Sequence, residues 1–440
     1  MATDALQRGL STPNNVEGWK ATTRVAFRFV FTYVLLYAAA TQILGGLLVF
    51  PGVSFPALGT RWPMRDITTW FAARALRVES PLVVAGNSGD TAFYWAQTCW
   101  LLLLAAVIAA VWSELDRRRA YPALHGWFRV FVRLALAAQL FYYGMAKVIP
   151  TQFPAPSLVT LVEHVGNLSL DDMLWTFIGA STPYQIVTGV AEIAAGALLV
   201  IPQTVTLGAL LALVDMVQVL VLNMTYDFGL KQISAHLLLM CVVLLAPDAS
   251  ALWRVLVLNR GTGPRPDLEP PVMRSRRAIA AQLVFGVYLL AAFTNLSWNN
   301  WFAISGGRPR SAAYGIWSVE RLSIDGVEQM PAVNAYDYRW RRIIFDTPDV
   351  VVIQRTDDSF LHYVSAFDDG GRRVTLRKGG SARFQGEWAL QRLSDDAVTL
   401  SGVMEGYAVE ATLTRVGLDT FKLLNSGFRW IRPYDANVQE

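Results

Sequence analysis

The sequence predicts a polytopic all-α membrane bundle of about seven transmembrane helices, followed by a C-terminal all-β antiparallel domain that is a barrel or a sandwich. Three observations carry this prediction. Hydrophobic residues make up 53% of the 440 residues and charged residues 16%, where a soluble domain carries about 25% charge. Long apolar runs recur as far as Trp298, and the mean hydropathy is +0.34. From Tyr314 onward the pattern changes to short β-branched and aromatic runs separated by turn clusters.

Taken in order, the apolar runs are Val25–Phe50, Ala92–Trp112, Trp127–Ile149, Tyr184–Ile201, Thr204–Leu222, Gln232–Pro247 and Ala278–Trp298. A hydrocarbon core of about 30 Å asks for runs of this kind. Residues 1–24 form a polar N-terminal segment, and 25–126 hold two spans with an outer loop in which Met64–Leu76 reads as an amphipathic surface helix. Residues 127–248 give a four-helix module, 249–277 a basic linker, 278–299 the seventh span and 310–440 the β-domain. Ala38, Ala39 and Ala40 resemble a cleavage site. Asp4 and Glu17 lie in the polar stretch before the first run, however, and that run is longer than a signal h-region, so an uncleaved anchor is expected.

Basic residues set the orientation. Arg117, Arg118 and Arg119 follow the second span, and Arg254, Arg260, Arg265, Arg274, Arg276 and Arg277 separate the sixth from the seventh. The loop 150–183 has no Lys or Arg. The positive-inside rule then places the N-terminus in the cytoplasm and the β-domain outside, in a bacterial plasma membrane. Arg61, Arg65, Arg74 and Arg77 in the first outer loop run against the rule, and headgroup contact by the surface helix accounts for them.

In the last part, strands are expected at Trp340–Thr347, Val350–Arg355, Phe360–Phe367, Arg373–Arg377, Ala382–Arg392, Val398–Met404, Tyr407–Arg415 and Thr420–Leu424. Val409, Ala411 and Leu413 alternate with Glu410, Thr412 and Thr414, as a half-buried strand requires. His362 is expected on a strand surface.

Four consecutive spans each carry an ionisable side chain: Lys147, Glu192, Asp215 and His236. A charge at membrane depth costs roughly 2.5–3.5 kcal/mol on insertion scales, so it faces a bundle interior and marks a functional pathway. Counting 1.5 Å per residue places all four in the outer half, Glu192 and Asp215 about 10–12 Å below the span ends. Gln139, Tyr142, Tyr143, Gln218 and Asn223 add substrate-binding candidates in the same half. Short connections make the helices antiparallel neighbours, so the four catalytic candidates are expected to meet. Bland readings stand beside this one: Lys147 snorkelling to headgroups, Glu192 and Asp215 as structural ions, and His236 as an interfacial residue. Arg133, deeper in the third span, needs a partner.

At these residues the chain resembles the DoxX-like membrane family over Trp127–Asp248. The matching stretches are Arg133-Leu-Ala-Leu-Ala-Ala-Gln-Leu-Phe-Tyr-Tyr-Gly-Met-Ala-Lys147, Gly189-Val-Ala-Glu192-Ile-Ala-Ala-Gly196-Ala-Leu-Leu, Asn223-Met-Thr-Tyr-Asp and Ala235-His236. The resemblance implies association with thiosulfate:quinone oxidoreduction or another envelope redox assembly. Phe141-Tyr-Tyr-Gly-Met-Ala-Lys147 is also similar to a segment of the vitamin K-dependent γ-carboxylase-like HTTM family, which would make Lys147 a base. The tryptophan that family carries soon after this lysine is absent here, and an all-β domain stands where it has an extended lumenal region.

Two classes of function follow. One is a redox- or quinone-associated membrane protein binding a small apolar molecule, its envelope redox partner unidentified. The other is a non-enzymatic scaffold presenting a β-domain to a partner or to lipid. Cys99 and Cys241 lie singly inside spans, which excludes dithiol redox chemistry and iron–sulfur ligation. The four histidines are scattered, so no metal is expected, and a charge of +4 without a basic stripe gives no case for nucleic acid.

Overall fold

In the computed structural model, residues 18–50, 55–78, 82, 84, 89–263, 268–329, 339–368, 370–378, 384–427 and 430–431 are described. Most of the N-terminal segment, Arg265, the Gly379-Gly380 turn and the start of the strand expected from Ala382 lie outside them. The helices are α1 Ala21–Ala40, α2 Gln42–Leu47, α3 Met64–Arg74, α4 Ala92–Leu115, α5 Pro122–Val148, α6 Leu170–Gly179, α7 Thr182–Val200, α8 Val205–Thr225, α9 Lys231–Leu245, α10 Ala249–Leu256, α11 Arg276–Ile304 and α12 Lys422–Asn425. The strands are β1 Gly315–Ile324, β2 Val327–Glu328, β3 Trp340–Phe345, β4 Val350–Arg355, β5 Phe360–Phe367, β6 Arg373–Lys378, β7 Phe384–Arg392, β8 Ala397–Met404 and β9 Tyr407–Val416.

Among the described residues six stretches are long and apolar enough to cross a membrane: Ala21–Ala40, Ala92–Leu115, Thr182–Val200, Pro202–Thr225, Lys231–Leu256 and Arg276–Ile304. The chain is a multi-pass membrane protein. The third expected span, α5, is not one of the six because its arginines, lysine and glutamine dilute its apolar content. It is nevertheless a helix of 27 residues, about 40 Å long, and more than half of those residues are buried. Its polar groups face neighbouring helices rather than lipid, which is how a spanning segment tolerates them.

The first expected span divides in two. The Thr41 side chain and its N–H both donate to the Tyr37 carbonyl, and Thr41 itself is extended. This ends α1 and lets α2 start in a new direction, which brings Gln42 against α5. The expected surface helix is present as α3. The first compact unit takes in residues up to Val148 together with Val187–Leu296.

The second compact unit comprises Ile149–Ile186 and the chain from Ser297. All its strand pairings are antiparallel, in the order β2-β1-β3-β4-β5-β6-β7-β8-β9, and β1 also pairs with β9, with Ile316 opposite Val416. The ring of β1 and β3–β9 is therefore a closed eight-stranded barrel, with β2 as a hairpin extension of β1, and the sandwich alternative is set aside. Alternation fills the inside: Trp317, Ile343, Phe345, Trp340, Tyr363, Trp388, Val409, Ala411 and Leu413 share one core. The other face of β1, β3 and β4 is covered too. Ile316, Ile344 and Val352 pack under Leu158, with Val159, Leu161 and Val162 alongside. Thus the loop leaving α5 lies on the barrel wall, and Ser305 Oγ donates to the Pro150 carbonyl at its start. Four of the apolar stretches separate that loop from the barrel in sequence, an even number, as two segments on one side of a bilayer require.

Two strand expectations are corrected. Thr420–Leu424 is not a strand but a 3₁₀ turn, Leu418–Thr420, leading into α12, and Phe421 packs on the covered barrel face. The strand β1, which closes the barrel, was not foreseen. His362 is exposed on β5 as expected.

Trp388 has no exposed surface and packs against Trp340 with ring centroids 5.5 Å apart and the rings tilted by 47°. Trp388→Ala is expected to destabilise the barrel by about 3–5 kcal/mol. Val364→Ala, at a half-exposed position, should cost under about 0.5 kcal/mol. Denaturant unfolding of the full chain in detergent, followed by near-UV circular dichroism, measures both.

Candidate functional site

Small residues set the geometry of the site. An added Cβ at Gly189 would lie 2.8 Å from Lys147 Cβ, and one at Gly144 would lie 3.2 Å from Glu192 Cβ. At Gly196 the neighbour is Phe141, at 2.8 Å. Helices α5 and α7 thus cross at backbone contact, the packing that small residues permit in membranes. The crossing places Lys147, in the last turn of α5, against Glu192, midway along α7. Lys147 Nζ donates to Glu192 Oε1 at 2.6 Å, with the glutamate side chain 1% exposed.

Asp215 of α8 joins this pair. It lies beside Glu192, close enough for a carboxyl–carboxyl hydrogen bond, and it feels the Lys147 charge. Glu192 Oε2 and Asp215 Oδ2 are both buried without a hydrogen-bond partner among the described residues. One amine and two carboxyls therefore meet, and a proton held between Glu192 and Asp215 would join the two carboxyls.

One binding candidate, Tyr143, borders the set, and a second, Gln139, is linked to it through Gln42. The Lys147 ammonium lies 5.8 Å from the Tyr143 ring centroid. Tyr143 OH accepts from Gln42 Nε2 at 2.7 Å, and the same amide donates to Gln139 Oε1 at 3.0 Å. Tyr142 turns away toward α11, where its ring meets Phe293.

The other expected members lie elsewhere. His236 is held by α1: its ring stacks on Tyr37 at 3.5 Å, and Nε2 meets Tyr33 OH at 2.6 Å. Its Nδ1 meets the Gln232 carbonyl at 2.6 Å, so Nδ1 carries a proton and the neutral ring accepts from Tyr33. Gln218 is exposed on α8. Asn223 is buried, but it ties the α8–α9 turn by donating to the Leu230 carbonyl and Ser234 Oγ. Sequence depth put these residues at the right level; it carried no information on which way each faced around its helix.

Arg133, near the middle of α5, has partners of its own. Its Nε is 3.0 Å from Glu269 Oε1, and NH1 donates to the Leu199 and Val200 carbonyls that end α7, at 2.9 and 2.8 Å. Gln282 accepts from NH2. Glu269 sits in a proline-flanked linker, and nothing in its sequence position signals this role. Among the described residues no group of three or more His, Cys, Asp or Glu is arranged to hold a metal.

No protein-family model and no solved structure matches the chain. A curated relative is the uncharacterized protein YwoB of Bacillus subtilis (strain 168). It is 36% identical over 131 residues, a span of 30% of this chain and 79% of that protein.

Gly189→Leu is expected to prise α5 from α7 and part Lys147 from Glu192, costing about 1–3 kcal/mol by overpacking. Gly166→Leu, where an added side chain meets nothing, should cost little. Thermal unfolding of the two variants in the same detergent checks the contrast.

Proposed function

The chain belongs to the family of the uncharacterized Bacillus subtilis protein YwoB, and we propose that it binds a small apolar molecule within the membrane at Lys147, Glu192 and Asp215, a quinone being the candidate. The observation that carries this reading is the meeting of a buried amine with two buried carboxyls inside the helical bundle. An apolar ligand with carbonyl or hydroxyl oxygens suits such a set. Lys147 and Tyr143 supply donors for a carbonyl oxygen, while Glu192 and Asp215 supply acceptors for a hydroxyl. A bound quinone would contribute two-electron redox chemistry. The protein's own part is to orient the head group, exclude water and hold or accept a proton at the carboxyls.

The proposed topology follows the arginines: N-terminus in the cytoplasm, barrel outside the plasma membrane, site in the outer half. An envelope redox protein would then meet the barrel side. A role for Lys147 as a carboxylase-type base sits less well with the geometry, because its nitrogen donates to Glu192 as one half of an ion pair.

One observation favours the scaffold reading. Two ion pairs on α5, Arg133–Glu269 and Lys147–Glu192, are what a purely structural charge network would use. The two readings separate in a lipid extract of the purified protein. We expect a quinone in constant ratio to wild-type chain, and its loss from Glu192→Gln protein that still inserts and folds. Repeated absence from the wild type, or equal content in the variant, would favour the scaffold.

A further inference from the structure

We propose that α3 and its flanking turns form a binding surface for anionic phospholipid headgroups at the edge of the bilayer. The surface lies apart from the intramembrane site and does not depend on its reading. Residues 61–77 carry Arg61, Arg65, Arg74 and Arg77 against the single acid Asp66, a net charge of +3. All four arginines are exposed, and among the described residues Asp66 pairs with Arg65, at 2.9 Å. Large apolar side chains stand between them: Trp62 is 78% exposed and Trp70 63%, with Ile67 and Leu76 also open.

The helix is fixed at a definite depth. Its inward side is Thr68 and Ala72, both fully buried. Thr68 Oγ1 accepts from Trp100 Nε1 at 2.9 Å, and Gln97 Nε2 donates to the Gly59 carbonyl just before α3, also at 2.9 Å. Gln97 and Trp100 lie about 7–12 Å along α4 from Ala92. α3 therefore runs beside the first turns of an apolar span, where hydrocarbon gives way to headgroups. Trp95, in the first turn of α4, is exposed at the same level, as an aromatic belt requires.

At 100° per residue, Ile67, Trp70 and Arg74 share one flank of α3, and Arg65, Asp66 and Thr69 lie toward the opposite side. One flank can thus enter the acyl boundary while guanidiniums reach phosphate, which they bind in bidentate fashion. Free phosphate would leave Trp62, Ile67 and Trp70 in water. A lipid satisfies both halves of the surface. The same contact accounts for four arginines in a loop where the positive-inside rule expects few.

The test uses the full chain in phosphatidylcholine nanodiscs doped with a minor fraction of brominated phosphatidylglycerol or brominated phosphatidylcholine. Subtracting the signal of a Trp62→Phe/Trp70→Phe protein isolates quenching of those two residues. Phosphatidylglycerol should quench them roughly threefold more than phosphatidylcholine at low salt, and the excess should shrink as salt screens the exposed charges. In the Arg61→Gln/Arg65→Gln/Arg74→Gln/Arg77→Gln protein the two lipids should quench equally. Folding of that protein is checked by its unfolding midpoint, and Arg74→Gln alone should give a partial loss. Equal quenching in the wild type, quenching by neither lipid, or an excess that survives in the quadruple variant overturns the proposal.

Discussion

A charge inside hydrocarbon must be answered by another charge or by backbone dipoles, and α5 carries two that are answered at separate levels. Arg133 and Lys147 stand fourteen residues apart, about 21 Å along the helix axis. Each reaches α7: Lys147 through Glu192, and Arg133 through the carbonyls of Leu199 and Val200. Removing one partner of a buried pair typically costs 3–5 kcal/mol, against 0–1 for an exposed pair. The two contacts thus fix the register of α5 against α7, and they do so only because Gly144, Gly189 and Gly196 let the backbones touch. The remaining helices supply what these charges still lack. Asp215 comes from α8, Gln282 from α11, and Glu269 from the linker before α11.

The barrel obeys a different constraint. A sheet of eight strands with an apolar interior has no exposed edge only if it closes, and β1 closes it by pairing with both β3 and β9. Its interior is packed by three tryptophans, a phenylalanine and a tyrosine. Part of its exterior is apolar as well, and the segment that follows α5 covers that part. One stretch of chain therefore leaves α5 and covers a wall of the barrel, so a loop that looks like a plain connection has a packing role.

Much of the architecture was legible in the sequence because long apolar runs and period-two alternation are local signals. The exceptions have physical causes. β1 carries a bulge between Val319 and Arg321, so Trp317, Val319 and Leu322 face inward without regular alternation. The segment Thr420–Leu424 has strand-like composition, yet its apolar groups serve a turn over the barrel wall. Among the site residues, Lys147, Glu192 and Asp215 come together as their common depth suggests. His236 has the same depth, but it faces α1 and is taken up by Tyr33 and Tyr37. Depth follows from counting residues, whereas facing depends on which neighbour a helix packs against. Glu269 was the hardest to anticipate, since its partner lies 136 positions away and no local pattern links them.

The account stands on Lys147 and Glu192 forming one coupled pair inside the bundle. A double-mutant cycle tests this directly, with Lys147→Met, Glu192→Leu and the combined protein unfolded in mixed micelles. We expect each single change to cost several kcal/mol and the double change to cost clearly less than their sum, because it leaves no uncompensated charge. Strictly additive losses would mean that the two side chains do not meet, and the central arrangement would be wrong.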